Sequence, residues 1–185
     1  MPTTEIRVLI RPPRETDMST FLEAVRRSRS EHRGWVAPPG TPQAYRRYLQ
    51  RVSTETHRGF LVVDKATSRL VGVININNII RGQFLSAFLG YYGFKDFARL
   101  GLMSEAMQLV LRQAFTRLKL HRLEANIQPQ NHASLALVRG CGFVREGYSR
   151  RYLKVAGRWC DHERWAILAE DWRRLNSTGK DAASA

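Results

Sequence analysis

The chain has 185 residues, with 30 Lys and Arg against 16 Asp and Glu and a formal net charge of +14. Hydrophobic residues make up 43% and charged residues 25%, an ordinary globular balance, and the length suits one domain with a real core. No window has the length and apolarity of a membrane span, and the opening run MPTTEIRVLIRPP lacks a signal peptide's long apolar core and small-residue cleavage site, so a cytoplasmic protein with no membrane partner is expected.

Arg7–Arg11 reads as a short strand ended by Pro12-Pro13. Asp17 is placed to cap a helix running to about His32, with Met18, Phe21, Leu22 and Val25 as its apolar stripe. The run Gly34–Gly40, GWVAPPG, is a loop carrying Trp35. Thr41-Pro42 starts the next helix, with Thr as cap and Pro at the first helical position, and Tyr45, Tyr48, Leu49 and Val52 line one face. Strands follow at Gly59–Asp64, Leu70–Asn77 and Phe84–Tyr92, separated by turns at Lys65–Ser68 and Asn78–Gln83. Leu102–Arg117 is a helix with Met103, Met107, Val110, Leu111, Ala114 and Leu118 toward the core.

Arg122–Gln128 is a strand, and Asn131 caps a short helix that runs to Arg139 and stops at Gly140. Two last strands, Gly142–Val155 and about Arg158–Ala169, turn at Ala156-Gly157. After Trp172 the sequence offers no apolar anchor, so residues 1–175 are expected to form the domain and 176–185 a disordered tail. Hairpins mixed with two helix–strand segments predict an α+β fold: a mixed, mostly antiparallel sheet of about seven strands flanked by about four helices.

Cys141 and Cys160 have neither metal nor redox spacing, so two reduced thiols and no metal site are expected. The excess of positive charge reads either as solvated faces or as attraction to a polyanion, such as a phosphate-rich cofactor, an acidic peptide, RNA or a ribosome. No nucleic-acid-binding motif of defined spacing is present, so sequence-specific nucleic-acid binding is not expected.

The stretch Leu89–Ala106, LGYYGFKDFARLGLMSEA, runs from a strand through Gly93 and Gly101 into a helix. A glycine-bearing turn feeding a helix N-terminus can hold an anion, because the first N–H groups lack internal partners and the dipole adds positive potential.

With Asn131–Phe143, this stretch resembles the GNAT superfamily of N-acetyltransferases. The family's loop, Arg/Gln-x-x-Gly-x-Gly/Ala, falls on Ala98–Met103. Gly101 matches, whereas Ala98 replaces Arg/Gln, Met103 replaces the small residue, and Arg99 stands where glycine is common. The longer register is more specific: GVININNIIRG, LHRLEANIQPQN, GFVREGYSRRYLKVAGRWCDH and a closing EDW resemble the ribosomal-protein-alanine branch, from about residue 5 to 172.

The resemblance implies a GNAT fold and acetyl-coenzyme A as co-substrate. It implies a pyrophosphate cradle from the backbone of Arg99, Leu100, Gly101, Leu102, Met103 and Ser104. The strand backbone of Tyr91, Tyr92 and Gly93 would pair with the pantetheine arm, and one N–H would serve the thioester oxygen. Asn131 would hold the arm, cap its helix, or both. The family's tyrosine seven residues after that asparagine is Val138 here, leaving Ser134 either as the group that serves the sulfur or as a serine bonded to its own helix turn.

The glutamate some relatives place five residues before the asparagine is Asn126 here. Glu124, on the same strand face, either acts through water or pairs with an arginine. His121 and His132 are nearby, and no base is assigned. Trp159, Asp161 and His162 fall on a GxWxDH signature of the branch; Trp35 and the GWVAPPG loop are placed to wall the acceptor site, or both tryptophans close the core.

The implied activity is direct acetyl transfer to a primary amine, foremost a protein N-terminal amine, with ribosome association as a partner reading. The alternatives are a small-molecule amine acceptor, such as an antibiotic or polyamine, or a non-catalytic acyl-coenzyme A or ribosome-binding module.

Overall fold

The computed structural model describes residues 5–181. Seven strands form one sheet in the order β1-β2-β3-β4-β5-β7-β6. They are β1 Val8–Arg11, β2 Arg58–Asp64, β3 Leu70–Ile80, β4 Ser86–Gly93, β5 Arg122–Ile127, β6 Val144–Val155 and β7 Arg158–Leu168. Every neighbouring pair is antiparallel except β4 and β5, which run parallel. The expected mixed, mostly antiparallel seven-stranded sheet is what forms.

Alternation along the strands sends side chains to two apolar layers. On one face Ile74, Ile76, Leu89, Leu123, Ala125, Ile127, Trp165 and Ile167 pack under α4 (Leu102–Arg112) and α5 (His132–Gly140). On the other, Leu61, Val73 and Tyr92 pack with Phe21 and Val25 of α1 (Met18–Arg27) and with Tyr45, Tyr48 and Val52 of α3 (Pro42–Val52). The α3 cap is as the sequence indicates: Ala44 N–H donates to Thr41 Oγ1 at 3.2 Å, behind Pro42 at the first position.

Among the described residues there are six α-helices where about four are expected. The first expected helix breaks at Ser28, which is almost fully buried and whose Oγ accepts from the Lys95 N–H at 2.9 Å; α2 (Arg29–His32) follows. Asp17 does not cap α1. Its carboxylate accepts instead from Arg14 N–H at 2.8 Å and pairs with Arg11 at 2.6 Å, which fixes the turn Glu15–Asp17 ahead of the helix. The α-helical part of α4 ends at Arg112, and Gln113–Arg117 widens into a π turn.

The stretch read as an unanchored tail begins inside a sixth helix, α6 (Ala169–Asp181). Its Trp172 ring lies 5.7 Å from Phe115. Leu175 lies over Gly142, where a Cβ would come within 2.3 Å of its Cδ1. The sequence past 181, the remainder of the expected tail, lies outside the described residues.

Candidate active site: an opening between two parallel strands

The parallel pairing of β4 with β5 covers only Ser86–Leu89 against Arg122–Ala125. Beyond it, β4 continues to Gly93 and β5 to Ile127 without pairing, so the sheet opens between them. A cleft of about 780 Å³ lies on the α4–α5 side. A second, of about 330 Å³, lies on the α1–α3 side. Glu31, Tyr91, Tyr92, Gly93, Ala133 and Ser134 line both, so the two clefts meet at the opening.

The larger cleft contains the turn expected to cradle an anion. Arg99 (φ 62°) and Gly101 (φ 76°) both adopt the left-handed backbone, which swings the chain from the loop into α4. The first bonds of the helix are made by Ser104 and Glu105 N–H to the Gly101 carbonyl, so the Leu102 and Met103 amides precede the ladder. They are available to an anion at the positive end of the dipole.

Gly101 is required by its backbone angle and not by crowding, because a Cβ there would meet nothing closer than Arg7 Nη2 at 3.5 Å. Arg7 braces the back of the loop: its guanidinium donates to the Leu100 carbonyl at 2.9 Å and to Glu105 of α4 at 2.7 Å. The side chain of Leu100 is exposed and that of Leu102 is buried in the core. Of the expected cradle residues, Arg99, Gly101, Leu102, Met103 and Ser104 line this cleft, and Leu100 does not. Met103, bulky where the family has a small residue, fits because it lies over two glycines. A Cβ on Gly72 would come 2.6 Å from its Sδ, and one on Gly93 would come 3.4 Å from its Cγ.

Tyr91 packs against the α4–α5 layer and donates through its hydroxyl to the Ser134 carbonyl at 3.3 Å. Burial raises its pKa above the ordinary phenol range, so it stays protonated at neutral pH. Asn131 caps α5, its Oδ1 accepting from Ser134 N–H at 3.2 Å, which leaves its amide nitrogen free for a ligand. The Ser134 hydroxyl makes no hydrogen bond among the described residues, so it is not held by its own helix turn. Val138 is fully buried.

The smaller cleft is rich in hydrogen-bond acceptors. Gln128 donates to the Gly34 carbonyl at 2.9 Å and ties the Trp35 loop over the end of β5. His32 is buried and its Nε2 faces the Gly93 carbonyl at 2.8 Å. Only a donor satisfies a carbonyl, so Nε2 carries a proton. Among the described residues four buried side-chain polar atoms lack partners, and three of them, His32 Nδ1, Tyr92 Oη and Asn126 Oδ1, belong to residues lining this cleft. Unsatisfied buried polar atoms cost about 1–3 kcal/mol each.

His162 also lines the cleft and is 3% exposed. Glu31 supplies a carboxylate, kept below the usual glutamate range first by the Ser30 hydroxyl.

The other sequence candidates go elsewhere. Glu124 takes the arginine-paired alternative: it accepts from Arg122 at 2.8 Å, and Arg122 is shared with Glu146. His121 faces Glu170 at 3.4 Å. His132 lines the larger cleft from its exposed rim. Trp159 neither walls the site nor closes the core, since it is 61% exposed near the hairpin tip. Asp161 accepts from Tyr148 Oη at 2.6 Å and Arg151 N–H at 2.7 Å, holding the bulge between Ser149 and Leu153 of β6. Of that signature trio only His162 reaches the cleft. Its role, and those of Asn126, His32 and Glu31, were not assigned from sequence. Strand alternation could have put His162 and Asn126 on one face, but only the register of β5 with β7 makes them neighbours of the opening.

A helix start ready for an anion on one face, a donor-seeking cleft on the other, and a sheet opened between them define a transferase that passes a group from one bound substrate to another. The chain belongs to the acetyltransferase (GNAT) domain family, whose model matches residues 7–144. It therefore uses acetyl-coenzyme A, which the cradle and the open strand edge fit.

Over 124 residues it is 38% identical to a probable N-acetyltransferase, YjcK, of Bacillus subtilis (strain 168), covering 67% of this chain and 68% of that protein. It is 35% identical over 113 residues to the [ribosomal protein uS5]-alanine N-acetyltransferase of Escherichia coli (strain K12), covering 61% of this chain and 58% of that enzyme. Similarity extends to the spermidine N(1)-acetyltransferase of Vibrio cholerae, with 32% identity over 65% of this chain and 69% of the other. Among solved structures, Mycobacterium smegmatis RimJ in complex with CoA-disulfide superposes with a TM-score of 0.83 at 26% identity, covering 93% of this chain and 89% of that one.

Proposed function

We propose that this acetyltransferase acts on the α-amine of a protein N-terminus, of the ribosomal-protein-alanine type. The observation that carries the reading is the meeting of the two clefts at Tyr91–Gly93 and Ser134. Acetyl-coenzyme A enters from the α4 side, its pyrophosphate on the backbone of Arg99–Ser104. The open edge of Tyr91, Tyr92 and Gly93 receives the arm, with Asn131 beside it. The amine approaches from the other face and attacks the thioester carbonyl directly. The Ser134 hydroxyl, free of protein partners and common to both clefts, supports the departing sulfur.

A primary amine brings N–H donors to a cleft lined by Asn126, whose Oδ1 has no partner among the described residues. Trp35 offers an aromatic wall to the first side chain of a peptide. The relationship to the uS5-alanine enzyme supports a protein acceptor. The +14 charge opposes a free polyamine and favours docking on a polyanion such as the ribosome. That setting is cytoplasmic, and no described helix is long and apolar enough to cross a membrane.

Calorimetric titration with acetyl-coenzyme A tests the first step, and absence of binding at high micromolar ligand rejects the site. Thiol release with a panel of N-terminal peptides and small amines tests the second. Turnover of small amines with none on peptides rejects the acceptor assignment. Co-sedimentation with ribosomes across a salt series tests docking, which weakens steeply with salt if the contacts are to phosphate.

A further inference from the structure

We infer that His162 is the catalytic residue that takes the proton from the attacking amine. The inference rests on the acetyl-transfer reading and deepens it.

Three structural features lead there. The first is place. His162 immediately precedes Glu163, the first β7 residue paired with β5, which lies opposite Ile127. Alternation puts it on the face opposite Trp165 and Ile167, which is the face of the acceptor cleft it lines with Asn126 and Ser134. The second is the tautomer. Its Nδ1 lies 2.9 Å from the Cys160 carbonyl, and a carbonyl can only accept, so Nδ1 keeps its hydrogen and Nε2 its lone pair. The third is rigidity. The ring is 3% exposed, lies 6.1 Å from the Tyr152 ring of β6, and sits on a strand whose neighbouring bulge Asp161 pins. The proton acceptor is thus held before substrate arrives.

The titratable groups around it are few. Asp161, its neighbour on β7, favours the charged form, as does the hydrogen bond to Cys160, whereas burial is the larger effect and lowers the pKa from its ordinary value. Across the cleft stand Glu31 and His32 of α2 and Tyr91 and Tyr92 of β4, and Tyr152 stands on β6. At neutral pH the imidazole is therefore uncharged and able to accept.

The step balances within the two substrates and the chain. The amine nitrogen bonds to the thioester carbonyl carbon, and its surplus proton moves to His162 Nε2. The tetrahedral adduct collapses with the electron pair of the C–S bond leaving on sulfur, which takes the Ser134 hydroxyl proton while solvent returns one to the serine. The imidazolium then returns its proton to solvent.

The test uses the full chain and the variants His162→Gln and His162→Asn, the second keeping a side-chain N–H near the Cys160 carbonyl. Long-range ¹H–¹⁵N spectra of the ligand-free protein should show the Nδ1-protonated tautomer, titrating below the ordinary histidine value of about 6.5. With the best acceptor, kcat/KM in both variants should fall about 10²-fold or more and lose the additional fall at the His162 pKa, keeping only the limb set by the acceptor amine, while the Kd for coenzyme A stays within twofold. The deficit should be smallest at high pH, where hydroxide can take the adduct's surplus proton.

Parent-level kcat/KM with the same pH profile in both variants overturns the inference and leaves the acetyltransferase reading standing. An Nε2-protonated tautomer also overturns it. Loss of coenzyme A affinity in step with activity gives His162 a structural role only. A parent with no turnover on any amine overturns the inference together with the reading beneath it.

Discussion

Gly101→Ala tests the cradle most cleanly, because space and backbone angle can be separated there. An added Cβ at Gly101 has 3.5 Å to its nearest neighbour, so the methyl itself clashes with nothing. The φ of 76° is the whole penalty, about 1–2 kcal/mol for an L side chain in the left-handed region. That strain must appear in one of two places. If the loop keeps its shape, the fold loses the full amount, and a chain of this size melts about 2–4 °C lower per kcal/mol. If the loop relaxes, the fold is spared and the cost returns on binding, raising the coenzyme A Kd about 5- to 30-fold, at about 1.4 kcal/mol per factor of ten. Differential scanning calorimetry and titration calorimetry on the same sample measure both. The two losses should sum to the strain. A variant with parental Tm and parental Kd would refute the left-handed turn at Gly101 and with it the placement of the cradle.

Four further changes probe other parts of the molecule. Gly101→Glu adds like charge to the cradle and should abolish measurable coenzyme A binding by titration calorimetry; retained affinity would move the pyrophosphate elsewhere. Ser134→Ala should lower kcat about 10²-fold with coenzyme A affinity unchanged, and parental turnover would remove the serine from the mechanism. Gly72→Ala drives a Cβ to 2.6 Å from both Met103 Sδ and the Tyr92 carbonyl. Because the second contact is backbone, it should cost about 1–3 kcal/mol in urea unfolding and weaken cofactor binding as well. Asp17 has its carboxyl pKa lowered, first by the hydrogen bond from Arg11, so its contribution is present above the unfolded value of about 3.9 and is lost as pH falls through the folded value. Asp17→Asn should therefore melt lower than the parent at pH 6 and converge with it under acid; equal curves at pH 6 would show that the pair contributes nothing.

Much of this protein is legible in the chain itself. The long register of motifs around Gly93, Gly101 and Asn131 carries the resemblance to the family, and the expected cradle is one consecutive stretch, because a turn made of backbone is written as local sequence. The six-helix count is not legible in the same way. Ser28 ends α1 through a hydrogen bond to Lys95, far along the chain, and α6 is anchored by Phe115 and Gly142. No local propensity reports those contacts.

The acceptor side shows the same division more sharply. Asn126 looked like a missing base and His162 like part of a motif. Only the early end of β4–β5 pairing and the register of β5 on β7 place both at one opening beside His32, Ser134 and Trp35. The sequence determined where a glycine-bearing turn feeds a helix start, since that depends on consecutive residues. Tertiary structure decided which groups share the smaller cleft, since they come from α2, β5, α5 and β7 and meet only when the sheet is assembled.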